Sequence, residues 1–88
     1  MSTQLVMSIY DKKMNTYSRP IYVKHQVEAQ RSIIGVLRTK ESMLAQYPSD
    51  YELYSLGVFD EQTGAHTMEE KPRFVMNISE LLEEQNHE

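Results

Sequence analysis

The sequence contains no cysteine, few glycines and no long apolar run. The absence of cysteine excludes disulfide bonds, thiolate catalysis and cysteine-ligated metal, and it is typical of proteins from a reducing compartment. The first four residues lack a basic leader, and no stretch approaches the roughly 20 apolar residues of a membrane helix. We therefore expect a cytoplasmic protein that is neither exported nor inserted into a membrane.

The residue patterns of familiar active sites are also missing. The three glycines form neither a phosphate-binding loop nor a dinucleotide fingerprint, and no GxSxG motif is present. His25, His66 and His87 are too scattered to show a metal-binding spacing. Asp50 and Asp60 suit turns better than catalysis. We expect no catalytic residue, no metal and no cofactor, and hence no enzyme.

The length of the chain bounds its organisation. With 88 residues it has room for a single domain over residues 1–88. Hydrophobic residues make up 40%, below the globular average of roughly 45 to 50%. Because the core will be thin, self-association is a reasonable way to cover the remaining apolar surface. We expect a homo-oligomer, with a dimer favoured.

The strongest strand signal lies in residues 47–64. The side chains alternate from Tyr51 onward, which predicts one face with Tyr51, Leu53 and Phe59 and another with Tyr54, Leu56 and Val58. A strand with two apolar faces belongs at the centre of a sheet. Gly57 is typical of a bulge or a close backbone approach. Residues 60–64 predict a turn after which residues 65–68 return antiparallel.

Two strands and a helix are predicted before this stretch. Residues 5–10 and 17–23 are expected to pair as a hairpin, and Pro20 places the second of them at a sheet edge. Residues 24–46 then change to a helical period that predicts one long helix on the sheet. Its apolar stripe consists of Val27, Ile33, Ile34, Leu37 and Leu44. Pro48 ends this helix.

The C-terminal residues predict a short strand and a short helix. A polar break at residues 69–72 precedes a weak strand over residues 73–76. Asn77, with Glu80 three residues later, is typical of a helix N-cap, and it predicts a helix over residues 78–85 in which Leu81 and Leu82 dock inward. Residues 86–88 are expected to fray. The fold class is therefore α+β: a small antiparallel sheet of three to five strands, with one long helix packed on a face and a short C-terminal helix.

Charge is distributed unevenly along the chain. Residues 1–40 carry seven basic and two acidic side chains, whereas residues 41–88 carry two basic and eleven acidic ones. Rings and cations alternate in the predicted hairpin, and two arginines add a basic ridge on the helix. These candidate nucleic-acid-binding residues are Tyr10, Lys12, Lys13, Tyr17, Arg19, Tyr22, Lys24, Arg31 and Arg38. Single-stranded binders use this mixture, although tyrosines in strands and solvated lysines are common without such a role.

A protein-interaction surface is the alternative interpretation. The edge strand carries Tyr17 and Tyr22, and the predicted helix has a spare apolar edge formed by Ala29, Val36 and Met43. Rings and methionines suit a dimer face. The same residues would equally serve to fill gaps in an ordinary core.

Several segments resemble one phage family. They are the run YPSDYELYSLGVFD at residues 47–60 with Thr63 and Gly64, the run IYDK at residues 9–12, and Tyr17, Pro20 and Ala29. In these the chain resembles the small non-structural protein of gokushovirus-type microviruses, which are phages with single-stranded circular DNA. The resemblance implies a counterpart of the small phage protein that turns replication from duplex copying towards single-strand synthesis coupled to genome packaging. It brings no catalytic residues.

The sequence thus leads to one functional hypothesis and one rival. The first is a non-enzymatic phage accessory protein of DNA replication and genome packaging, located in the bacterial cytoplasm and absent from the mature virion. Its partners would be single-stranded DNA or the proteins of the replication and packaging machinery. The rival is a homo-oligomeric adaptor that binds a phage or host protein and no nucleic acid. Neither hypothesis involves a membrane.

Overall fold

The computed structural model describes residues 2–86. Its elements in chain order are β1 (Thr3–Asp11), β2 (Thr16–Tyr17), β3 (Ile21–Val23), α1 (Gln26–Leu37), α2 (Met43–Gln46), a 3₁₀ turn (Pro48–Asp50), β4 (Tyr51–Asp60), β5 (His66–Asn77) and α3 (Ile78–Asn86). The α+β class and the antiparallel sheet are confirmed. Asn86 ends α3, while His87 and Glu88, the rest of the predicted frayed tail, lie outside the described residues.

The strands form one antiparallel sheet in the order β2, β1, β4, β5, and β3 pairs with β1 on the same side as β2. The predicted hairpin between the first two strands is confirmed, and so are the central place of β4 and the edge position of the strand that contains Pro20. Because β4 has a partner on each side, most of its backbone polar groups are paired within the sheet.

The edge strand is divided in two by a bulge. Tyr17 pairs with Tyr10 and Ile21 pairs with Met7, so residues 19–20 together stand opposite Ser8. The buried Ser8 Oγ donates to the Ser18 carbonyl oxygen at 2.7 Å. Since Pro20 has no N–H to donate, the extra residue and this side-chain bond replace a regular ladder at that point.

A second bulge reverses the faces of β4. Val6 pairs with Gly57 and Met7 pairs with Ser55, so Leu56 is inserted between two rungs of the ladder. One inserted residue moves the following side chains to the opposite face. The prediction that Phe59 shares a face with Tyr51 and Leu53 is therefore wrong, because beyond the bulge Phe59 points to the opposite side.

The last strand is longer than predicted. β5 continues from the hairpin to Asn77, where a break and a separate short strand were expected. Residues 69–72 form an excursion opposite Leu56, since Met68 pairs with Gly57 and Arg73 pairs with Ser55. The polar break predicted there is an irregularity within one strand.

The prediction of one long helix is wrong. α1 ends at Leu37, and a turn separates it from the short α2. Ser42 caps α2, because its Oγ accepts from the Ala45 N–H at 3.1 Å and donates to the Val36 carbonyl oxygen at 3.1 Å. These bonds satisfy backbone groups at both ends of the turn, which a continuous helix would have used internally.

The core lies between one face of the sheet and the helices. Its buried apolar side chains are Met7, Ala29, Ile33, Leu37, Leu53, Ile78 and Leu81. Ala29 is thus part of the core and not of a spare edge, and Val27 of the predicted stripe is exposed. The cap of α3 is confirmed: Glu80 Oε2 accepts from the Asn77 N–H at 2.9 Å.

Candidate nucleic-acid interface

The face of the sheet opposite α1 and α3, called the open face below, is not covered by any helix within residues 2–86. Strand alternation places Val6, Ser8 and Tyr10 of β1 on this face, because Leu5, Met7 and Ile9 turn to the core. The register with β1 then brings seven ring side chains to the open face. They are Tyr10, Tyr17, Tyr22, Tyr54, Phe59, His66 and Phe74.

Four of these rings form a row across the sheet, called the tyrosine row. Each strand from one edge to the other contributes one ring, in the order Tyr17, Tyr10, Tyr54 and Phe74. Neighbouring ring centroids lie 4.7 Å, 5.7 Å and 5.8 Å apart along the row. These are the separations at which tilted and edge-to-face aromatic pairs attract one another. The row therefore fixes its own rings in place.

A second row lies nearer the other end of the sheet and is called the histidine row. It consists of Tyr22, Phe59 and His66, with Tyr22 to Phe59 at 5.5 Å and Phe59 to His66 at 4.8 Å between ring centroids. The Tyr22 hydroxyl and His66 Nε2 are hydrogen-bonded at 2.9 Å. Val6 lies buried opposite Tyr22 on β1. The two rows are separated by four residues along β1, about 13 Å.

The tyrosine hydroxyls are anchored by neighbouring polar groups. Tyr10 donates to Asn15 Oδ1 at 3.0 Å, and Asn15 holds the left-handed backbone conformation (φ 58°) that closes the hairpin. Tyr54 donates to Glu52 Oε1 at 3.2 Å. Burial raises the pKa of the Tyr54 hydroxyl, and the adjacent Glu52 carboxylate raises it further. Tyr54 is therefore a neutral hydrogen-bond donor at physiological pH.

The ring faces that remain open are large enough to take a ligand. Tyr17, Tyr22 and Phe74 are 44%, 43% and 47% exposed, whereas Tyr10 and Tyr54 between them are only partly exposed. The inner rings support the outer ones, and the outer ones present a π surface to solvent. Such a surface stacks on flat ligands, above all on unpaired nucleobases.

The cations of the hairpin lie along one edge of the open face. Lys12 and Lys13 occupy the turn between β1 and β2, next to the tyrosine row. Arg19 lies between β2 and β3, and Lys24 directly follows β3. All four side chains are exposed. The edge that carries Tyr17 and Tyr22 is therefore the basic side of this surface.

The two arginines of the helix lie elsewhere. Arg31 is exposed on α1 and Arg38 is exposed directly after it, and the buried side chains of this helix face the sheet from the core side. They are separated from the ring surface by the whole thickness of the sheet. The expected joint surface of hairpin and helix cations is not formed.

Carboxylates lie near the middle of the open face and on its β5 side. Glu52 pairs with Tyr10 in register and presents its carboxylate beside Tyr54. On the β5 side, Glu69 lies 3.4 Å from Arg73 Nε in an exposed ion pair, which contributes little stability. A polyanion is therefore attracted to the basic edge and repelled from the middle of the sheet.

The edges of the sheet are poorly suited to receive another strand. Pro20 interrupts the edge formed by β2 and β3, and Pro72 lies in the excursion of β5. Proline and bulges are devices that prevent edge-to-edge pairing. Addition of a further strand at these edges is therefore disfavoured.

Two cavities adjoin each other on the core side of the hairpin edge. They measure about 260 Å³ and about 290 Å³, and Asp11 and Tyr51 line both. Lys13 lines the larger one together with Asp50. Burial raises the pKa of Tyr51, as do the nearby carboxylates of Asp11 and Asp50. Lys13 therefore shares this cavity with the carboxylates of Asp11 and Asp50.

Other site types find no support in the part of the chain that is described. Within residues 2–86 no group of three or more His, Asp or Glu side chains is arranged to hold a metal ion. No helix in that range is long and apolar enough to cross a membrane.

Three of the seven rings were predicted from the sequence. Tyr10, Tyr17 and Tyr22 were predicted as site residues, and the structure places all three on the open face. Tyr54, Phe59, His66 and Phe74 were missed, because their convergence depends on strand pairing and on the bulge at Leu56. A sequence signal could have identified Tyr54. An aromatic strand that pairs with a second ring-bearing strand brings the rings of both strands together.

Comparison with protein families gives one match. The family model described as phage ORF5 protein matches residues 4–81, from the second residue of β1 to the first turn of α3. The chain belongs to the phage ORF5 protein family. Searches of curated proteins and of solved structures found no match to this phage protein.

Proposed function

We propose that this phage protein binds single-stranded DNA on its open face. The observation that carries the proposal is the arrangement of seven rings in two rows on a sheet face that no helix covers. Base stacking on aromatic side chains contributes about 1 to 3 kcal/mol per base and tolerates any sequence. Four-stranded sheets with exposed rings use the same chemistry to hold unpaired bases.

The charge distribution favours a single strand over a duplex. Bases in a duplex are already stacked and paired, so the rings would gain little from them. Duplex binding would then depend on phosphate contacts, and a chain with net charge −4 has few cations to supply them. Stacking is expected to dominate the affinity, with a shallow dependence on salt.

The biological role that we propose is supported by membership of the phage family and by the resemblance described above. The protein would act without catalysis as a gokushovirus-type non-structural protein, in the replication and packaging of a single-stranded genome. It would work in the cytoplasm of the infected bacterium and be absent from the mature virion. A protein that holds unpaired bases would protect the displaced strand or present it to the replication and packaging machinery.

The test is titration of a fluorescently labelled single-stranded oligonucleotide, followed by anisotropy, with the same sequence as a duplex for comparison. Phe74→Ala removes an exposed ring of the tyrosine row and is expected to weaken binding by about 5- to 150-fold. Tyr47→Ala is the matched control, since Tyr47 is 50% exposed but lies outside both rows. Absence of single-strand binding at low salt, or equal losses in the two variants, would contradict the proposal.

One observation favours the adaptor as a second candidate. The open face also exposes Met68 beside the rings, and methionine and aromatic side chains are typical of protein interfaces. A second copy of the chain stacked on this face would cover the rings. Sedimentation over a range of protein concentrations tests this: Phe74→Ala would then shift a dimer to monomer. If DNA binds without dissociating the dimer, the DNA and the second copy of the chain do not share the open face.

A further inference from the structure

The sheet edge formed by β2 and β3 carries two exposed rings with a cation between them. Tyr17 stands opposite Tyr10 and Tyr22 opposite Val6, so the two rings lie about 13 Å apart along the edge. Arg19 occupies the bulge between them, and its exposed side chain makes no ion pair with the described side chains of residues 2–82. Pro20 limits the backbone freedom of this segment. Ring, cation and ring therefore follow one another on a stiff stretch of edge strand.

The surrounding charges restrict the path of a bound strand. Glu52 places a carboxylate near the middle of the open face, whereas Glu69, towards the far edge, is ion-paired with Arg73. Phosphates that crossed the middle of the sheet would approach the Glu52 carboxylate, and phosphates along the β2 and β3 edge would approach Arg19. The bases then point inward, over the rings.

We propose that Tyr17, Arg19 and Tyr22 form the element that sets the path of single-stranded DNA. The two rings stack on two bases, and Arg19 contacts the phosphate backbone between them. The backbone runs along the β2 and β3 edge, parallel to β1. This inference rests on the proposed function and adds to it the residues and the direction of the strand.

The experiment measures how the affinity for a labelled oligothymidylate depends on salt, because cation and ring contacts differ in this respect. Arg19→Ala is expected to lower the slope of log K against log salt by about 0.7, the value for one phosphate contact with a single strand. Arg19→Lys keeps the charge and is expected to keep the slope. Tyr17→Ala and Tyr22→Ala are each expected to weaken binding about 5- to 150-fold with the slope unchanged. Tyr17→Phe and Tyr22→Phe retain the ring and most of the affinity.

Arg31→Ala is the matched control for charge, since Arg31 is exposed on α1 on the core side of the sheet. If the wild type binds the oligonucleotide but Arg19→Ala and Arg31→Ala change the slope equally, the proposed strand path is wrong. The proposed function would then still stand. A wild-type protein that does not bind would overturn both. Circular dichroism of each variant confirms that it is folded.

Discussion

Gly57 lies directly against the backbone of Thr67. A Cβ atom built on Gly57 would lie 2.5 Å from the Thr67 carbonyl oxygen and 2.7 Å from the Met68 Cα. Carbon atoms do not approach backbone atoms this closely, so only glycine allows β5 to pair this closely with β4 at position 57. The contact lies beside the bulge at Leu56, which turns Phe59 to the open face.

We predict that Gly57→Ala destabilises the protein by about 1 to 3 kcal/mol, because the added methyl group has to displace backbone. Gly35→Ala is the control with the opposite sign. Gly35 lies in α1 with open space around it, and alanine there is expected to stabilise the helix by about 0.5 to 1 kcal/mol. Urea unfolding of both variants measures the two changes. Equal effects would contradict the close approach.

The bulge also shows how far alternation alone can predict a strand. The sequence places Tyr51 and Leu53 on one face and Tyr54 on the other, and the structure agrees. The signal at Gly57 indicates a bulge, but it does not say that a whole residue is inserted at Leu56. Since one insertion moves every later side chain to the opposite face, the predicted place of Phe59 is wrong.

The helix predicted over residues 24–46 was too long for a related reason. Leu37 and Leu44 are seven residues apart, which is in phase with one continuous helix. The break depends on Ser42, whose hydroxyl bonds backbone groups on both sides of the turn. Serine has only a modest effect on helix propensity, so the periodicity gives no sign of this bonding.

The N-terminus of α1 supplies a prediction on acid stability. The Glu28 carboxylate accepts from the backbone N–H groups of Lys24 and His25 at 2.6 Å and 3.0 Å. These bonds lower the pKa of Glu28 from its ordinary value of 4.5. A depressed pKa contributes stability that is present above the unfolded pKa and is lost as the pH falls through the folded pKa.

Glu28→Gln is therefore expected to be less stable than the wild type at neutral pH, and the difference is expected to close as the pH falls below about 4. Glu41→Gln removes the same charge from an exposed turn residue and controls for net charge. Thermal unfolding at a series of pH values measures both. A difference that persists unchanged in acid would mean that the charge of Glu28 is not what stabilises the helix.

The core offers a prediction on packing. Leu53 of β4 is fully buried in the core between the sheet and the helices. Leu53→Ala leaves a cavity and is expected to cost about 2 to 5 kcal/mol. Val27→Ala, at an exposed position of α1, is expected to change the stability by less than about 0.5 kcal/mol. Comparable losses in denaturant unfolding would place Val27 in the core, against the structure.

The candidate site was predictable in part. Tyr10, Tyr17 and Tyr22 stand out in the sequence because cations are interleaved with them. The arginines of α1 were grouped with them on charge alone, and charge carries no information on which layer of the fold a helix occupies. The rings of β5 were missed, since their neighbours across the sheet are distant in sequence.

Tyr54 connects the tyrosine row to the acidic side of the open face, and this gives a prediction at alkaline pH. Its ring contacts Tyr10, Tyr17 and Phe74, and its hydroxyl donates to Glu52. Because its pKa is raised in the folded state, Tyr54 contributes stability that is present below the unfolded pKa of about 10 and is lost as the pH rises through the folded pKa.

Tyr54→Phe keeps the ring contacts and removes the titrating group. We expect it to be slightly less stable than the wild type at neutral pH, and the difference to narrow above about pH 10. Tyr47→Phe, an exposed ring outside both rows, is the control. Stability curves of the wild type and Tyr54→Phe that stay parallel into the alkaline range would show that burial and Glu52 do not raise the pKa of Tyr54 in the folded state.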